Sequence, residues 1–136
     1  MANEKILIID DDDDLVYAMR LPLQAAGYQV FRAATGDEGL RKVKEVQPDL
    51  IILDVMMDTT TAGFQVSLAL RRPTANSEYE AYRNIPILML TAIHSTTPLR
   101  FAPDQDYLPV DAFIEKPIEP DMLLAKVREY LHRQVA

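Results

Sequence analysis

Apolar and polar positions along this chain follow two periods that take turns. Ile6-Leu7-Ile8-Ile9 is a run without polar interruption, as expected of a strand buried on both faces. From Asp13 to Ala26 the period changes. Leu15, Ala18, Met19, Leu23 and Ala26 recur at helical spacing, and Gly27 is a ready C′ residue. Pro22 lies within that helix and removes the bond to the Ala18 carbonyl, which predicts a kink. Tyr28 to Ala33 reads as a second strand with partial alternation. Thr35-Gly36-Asp37 opens a second helix that runs through Val46 and closes before Pro48. Leu50–Leu53 is a third strand, Gly63 to Arg72 a third helix, and residues 73–84 a polar connector. Pro86–Leu90 is a fourth strand ending at Thr91, and Ala112–Glu115 a fifth running into Lys116-Pro117. Pro120 to Gln134 closes the chain as a helix with Met122, Leu123, Val127 and Leu131 on one face.

Short strands alternating with helices predict βαβ units, so the fold class is α/β: a doubly wound parallel sheet with right-handed crossovers covering both faces. Residues 95–111 interrupt the alternation. A fourth helix is due there, but Pro98, Pro103 and Pro109 limit it to a loop with a helical turn or two. The 136 residues make one domain, expected over 4–132 with 1–3 and 133–136 as terminal extensions. A net charge of −7 without any basic stripe argues against a nucleic-acid partner. The absence of cysteine excludes disulfides, thiolate chemistry and Cys-ligated zinc. Ile85 to Ile93, the longest apolar stretch, contains Pro86 and Thr91 and is too short to span a bilayer, so no membrane partner is expected. Met1 to Lys5 offers no signal-peptide core, and a cytoplasmic location is expected.

The chemistry is carried by acids at strand ends. The first strand delivers five consecutive aspartates, Asp10 to Asp14, and the third delivers Asp54. Ligands of an open parallel sheet sit beyond the carboxyl ends of its strands, so both runs aim carboxylates into one crevice. Carboxylates gathered that closely repel one another unless a cation joins them, and a hard divalent ion with oxygen ligands is the natural partner. Asp12, Asp13 and Asp14 read instead as a helix cap and first turn, where aspartate is favoured. His94 and His132 read as surface residues, and Asp58 as part of a loop surface.

Taken in order, Asp10-Asp11, Asp54, Thr91-Ala92, Phe113 and Lys116-Pro117 each stand at or near a predicted strand end. On these landmarks the chain resembles the receiver (CheY-like) domain of two-component response regulators over nearly its whole length. The resemblance implies a flavodoxin-like five-stranded sheet, order 2-1-3-4-5, with five helices. It implies that Asp54 is a phosphoacceptor, charged by a sensor histidine kinase or a histidine phosphotransfer protein. Mg²⁺ (or Mn²⁺) would be held by Asp11, Asp54 and the backbone carbonyl of Met56, with Asp10 acting through a metal-bound water. Lys116 would reach a phosphoryl oxygen as a point charge, and the Thr91 hydroxyl would turn inward to another. Phe113 would then occupy the space Thr91 leaves, although it lacks the hydroxyl a tyrosine would offer outside. The bond before Pro117 would be cis. Such a domain is no enzyme beyond its own phosphorylation and dephosphorylation; it signals by changing its surface toward an unidentified downstream protein. It would act either alone by protein contact or as a piece of a longer chain.

Other readings separate cleanly. A receiver-like scaffold that never needs phosphate would not require this full set of acid, threonine and lysine positions. An aspartate-based phosphatase of the haloacid dehalogenase kind needs a second aspartate two residues after the nucleophile, where Met56 stands, and no glycine-rich phosphate loop is present. Three departures from the family pattern matter. Asp58 stands where a proline is common, in a threonine-rich loop one residue longer before Gly63. The proline-rich stretch 98–109 replaces a helix of the usual output face, which argues for a partner surface of loop and fifth strand and against the usual dimer there. Met56 and Ile93, flanking the path of the hydrolytic water in the family, are both apolar and cannot orient or deprotonate it. The phosphorylated protein should therefore lose its label slowly. Following the decay of radiolabel after removal of the donor checks this, and complete loss within seconds would contradict it.

Overall fold

The computed structural model of the chain describes residues 4–54, 82, 84–91, 112–115 and 118–133. The predicted third helix over 63–72, the connector over 73–81 and the proline-rich segment 95–111 lie outside the described residues. Five strands are present: β1 Lys5–Ile9, β2 Gln29–Ala33, β3 Leu50–Asp54, β4 Ile87–Thr91 and β5 Ala112–Glu115. Every neighbouring pair is parallel, and the order across the sheet is β2-β1-β3-β4-β5. Three helices accompany them among the described residues: α1 Asp13–Ala25, α2 Gly36–Val46 and α3 Pro120–Arg133. The predicted sheet and its strand order are borne out.

Period-two alternation divides the strand side chains between two cores. Ile6, Ile8, Leu50, Ile52, Leu88, Leu90, Ala112 and Ile114 pack on one face beneath α1 and α3. Leu7, Ile9, Ile51, Leu53, Ile87 and Met89 pack on the other with Val43 of α2. Because both faces are covered, the central strands need apolar residues at every position, and the uninterrupted runs in the sequence follow directly. Each fully buried Ile or Leu contributes about 1.5–3 kcal/mol relative to exposure, so the central strands carry most of the stabilisation.

The strand ends differ slightly from expectation. Tyr28 falls before β2 and is buried in the first core instead. Pro86 precedes β4 because it has no N–H for the ladder, yet its carbonyl accepts from the Ile51 N–H at 2.9 Å. The helix faces need more correction. Val16, not Ala18, joins Met19 and Leu23 on the buried side of α1, while Ala18 is exposed. On α3 the inward ridge is Leu123, Val127, Tyr130 and Leu131, and Met122 is 56% exposed. The spacing 123, 127, 130, 131 keeps one face, whereas Met122 is turned about 100° from Leu123. Gly27 ends α1 with a φ of 99°, as its C′ role requires, and Pro22 lies inside the helix. α2 stops at Gln47, a left-handed cap with φ 52° just before Pro48.

At Gly39, α2 lies close against β1. A Cβ built there would meet Ile9 Cδ1 at 2.6 Å and Cγ1 at 2.9 Å. Overpacking of this kind costs about 1–3 kcal/mol, against a helix-propensity gain of about 1 kcal/mol for replacing glycine with alanine. Gly39→Ala should therefore lower the urea midpoint, and Ile9→Val, which removes Cδ1, should shrink that loss in a double-mutant cycle. A Gly39→Ala protein more stable than its parent in the Ile9 background would contradict the contact.

Candidate metal centre

The turn after β1 is built by its own aspartates. The Asp10 N–H donates to the Ala33 carbonyl at 2.9 Å, carrying the β1–β2 ladder one step past the strand end. Asp10 Oδ1 then accepts the Asp12 N–H at 2.9 Å, an Asx-type turn that swings the chain from strand into helix. Asp12 is the N-cap of α1, its Oδ1 accepting from the N–H groups of Asp14 and Leu15 at 3.0 and 3.1 Å. Asp13 and Asp14 fill the first helical turn, where the positive end of the helix dipole favours acids. The capping reading of Asp12, Asp13 and Asp14 is thus borne out. Asp11, exposed at the tip of the turn, takes part in none of these bonds.

Register does the rest. Ile9 pairs with Leu53 across β1 and β3, so Asp10 and Asp54 follow side by side on adjacent strands. Both are buried, at 0% and 2% exposure, and they are the polar residues within an otherwise apolar set of buried side chains among the described residues. Carboxylate oxygens of Asp10, Asp11 and Asp54 all lie within 4.8 Å of one another. At an effective protein dielectric, repulsion between charges at that range is several times thermal energy. The donor set is entirely hard oxygen, two members buried and one open to solvent. That combination suits a divalent ion that binds through a few carboxylates and keeps several waters.

The remaining candidates are placed less fully. Asp54 pairs with Leu90, which puts Thr91, at the end of β4, one step past the acid; Thr91 in turn pairs with Glu115. Phe113 stands within β5, opposite Met89. For Thr91 and Phe113 the backbone position is described, and their side chains lie outside the described residues. Met56, Lys116 and Pro117 lie wholly outside them, as do Asp58, Ile93 and His94.

One residue of the site escaped sequence reasoning. Arg32, in β2, donates from Nε to the Asp10 carbonyl at 3.1 Å and from Nη1 to Asp13 Oδ1 at 2.7 Å. The sequence held a usable signal: an arginine beside the last residue of β2, a strand predicted to adjoin the one that ends in acid.

Comparison with known proteins agrees with this architecture. A profile of the response regulator receiver domain matches residues 6–128. The transcriptional regulatory protein AfsQ1 of Streptomyces coelicolor is 33% identical over 128 residues, covering 94% of this chain and 51% of its own length. Among solved structures, a candidate response regulator from Chloroflexus aurantiacus superposes with a TM-score of 0.80 at 30% identity, over 96% of this chain and 98% of its own. The chemotaxis response regulator CheY4 of Vibrio cholerae gives 0.75 at 29% identity, over 95% and 99%. The chain belongs to the response regulator receiver family, the phosphorylation-linked domains of two-component systems. It spans about half the length of the curated relatives it matches. Among the described residues no helix is long and apolar enough to cross a membrane.

The crowding of acids has a measurable consequence. Asp11→Asn removes one of the three converging charges without disturbing the cap or the core. In the presence of a chelator the variant should unfold at higher urea concentration than the parent. An unchanged or lower midpoint would show that the three carboxylates do not oppose one another in the folded state.

Proposed function

We propose that this receiver domain is a phosphorylation-activated switch whose acceptor is Asp54. The observation that carries the reading is the convergence of a buried strand-end carboxylate with two further carboxylates inside 4.8 Å. Asp54 attacks through a carboxylate oxygen the phosphorus of a phosphohistidine on a sensor histidine kinase or histidine phosphotransfer protein. The new bond is O–P, the bond broken is P–N, and the imidazole leaves with a proton. A carboxylate is a modest nucleophile, but phosphoryl transfer demands mainly in-line placement and charge neutralisation. Asp11, Asp54 and the Met56 carbonyl would hold Mg²⁺ (or Mn²⁺), with Asp10 acting through water. That ion, when bound, supplies positive charge to offset the acids and the phosphoryl oxygens.

The rest of the mechanism belongs to residues carried over from the family pattern. Lys116 contacts a phosphoryl oxygen, and Thr91 contacts another through its hydroxyl. A group bearing about −1.5 to −2 charge arrives at Asp54, so both residues are drawn toward it. Phe113 fills the space that Thr91 leaves, and the surface near β5 changes toward a downstream protein. On the family pattern the bond before Pro117 would be cis and would help to aim the lysine. The chemistry is confined to the domain's own phosphorylation and dephosphorylation, in the cytoplasm, with no nucleic acid or membrane bound by this domain. The convergent acids weigh against a phosphate-independent scaffold, for which three mutually repelling carboxylates would be a cost without a use.

Incubation with MgCl₂ and acetyl phosphate, followed by intact mass, tests the reading. A gain of one phosphoryl unit is expected, absent in Asp54→Ala and absent with EDTA. A gain that survives the Asp54→Ala change would assign the acceptor elsewhere and overturn the proposal.

A further inference from the structure

The turn Asp10–Asp13 is fastened from outside at both ends by one side chain. Arg32 pairs in register with Ile8, two residues before Asp10, and reaches forward past the strand end. Its Nε donates to the Asp10 carbonyl at 3.1 Å and its Nη1 to Asp13 Oδ1 at 2.7 Å. Between those two anchors lies Asp11, the exposed member of the acidic cluster. Asp10 is also held through its N–H by Ala33, and Asp12 by capping α1. The backbone on each side of Asp11 is therefore set before any ion arrives.

From this geometry we infer that Arg32 is a positioning residue for the acidic cluster: it holds the β1–α1 turn in the shape that lets the Asp11 carboxylate meet those of Asp10 and Asp54. The inference rests on the reading of that cluster as a divalent-cation site. Two effects of Arg32 oppose each other. As a positive charge beside a cation site it weakens ion binding by simple repulsion. As a fork it orders a turn of adjacent like charges that would otherwise spread apart, and so strengthens binding. The exposed Asp13, at 85%, makes the ion pair itself worth little to folding. A planar guanidinium presents Nε and Nη1 to the two acceptors in a fixed fork, whereas an ammonium offers its three rotatable donors from one point on a flexible stem. Positioning therefore outweighs repulsion in its effect on the ion.

Full-length chain carrying Arg32→Gln or Arg32→Lys, compared with the parent, tests this by calorimetric titration with MgCl₂ and by urea unfolding in EDTA. Groups that orient metal ligands typically change affinity by about 10–100-fold when removed. Arg32→Gln should weaken Mg²⁺ binding by about tenfold or more, with a small change in the metal-free urea midpoint. Arg32→Lys keeps the charge and loses the fork, so it should also bind more weakly than the parent; it carries the comparison alone if the glutamine variant does not fold. Affinity equal to or tighter than the parent in either variant would overturn the inference, because it would leave only the charge effect. A parent protein that takes up no Mg²⁺ would instead overturn the cluster reading, a result distinguishable from the first.

Discussion

The pairing of Ile9 with Leu53 is the constraint on which the site depends. Parallel register places the next residues of β1 and β3, Asp10 and Asp54, at neighbouring points beyond the two strands. A slip of one residue would turn the side chains of a whole strand to the opposite face and exchange the two cores. Such a slip is prohibited by burial on both sides: Leu7, Ile9, Ile51 and Leu53 belong to one core and Ile6, Ile8, Leu50 and Ile52 to the other. The acids are thus held together by apolar residues that never touch an ion. Their repulsion is an unfavourable term that burial of these apolar residues offsets.

Within the run of five aspartates, position decides role. Residues of the same type meet different partners because the chain turns from strand to helix between them. Asp10 closes the turn with Oδ1, Asp12 caps α1, Asp13 meets Arg32, and Asp11 joins the cluster. A helix N-terminus tolerates acids because its N–H groups and dipole favour negative charge, so the excess of aspartates sits where it is least costly. Local structure and site chemistry share one short segment, and the structural members hold the functional one in place.

Much of this was legible in the residues themselves. The apolar runs marked the strands because a sheet covered on both faces leaves no polar positions to confuse the reading. The acids at Asp10, Asp11 and Asp54 could be assigned to one crevice because parallel strands deliver their carboxyl ends to the same edge of the sheet. Helix faces were harder. Alanine at 18 counted as apolar although it has little to bury, and Val16 was passed over; Tyr130 was missed because a tyrosine can point either way. Gly39 carried no sign of its contact with Ile9, since a close approach is a property of two elements already docked. Arg32 was passed over for a similar reason, although its place beside the end of β2 was a usable signal. Its partners are 22 and 19 positions away in sequence, and only the β1–β2 register brings them within reach.

The site has two sides of different character, divided by β1 and β3. On the β2 side the Asp10 N–H donates to the Ala33 carbonyl and the Asp10 carbonyl accepts from Arg32, beside the capped start of α1. On the other side lie β4 and β5, which carry the backbone of Thr91 and Phe113 one strand and two strands from Asp54. A switch biased by local charge needs this asymmetry. If both walls yielded when a charged group arrived, the change would dissipate in the acids themselves; with one wall held, the change would fall on the other. The turn clasped by Arg32 supplies the held wall. On the proposed function, the bonds that hold the β1–β2 side would leave the β4–β5 side to answer an added charge at Asp54.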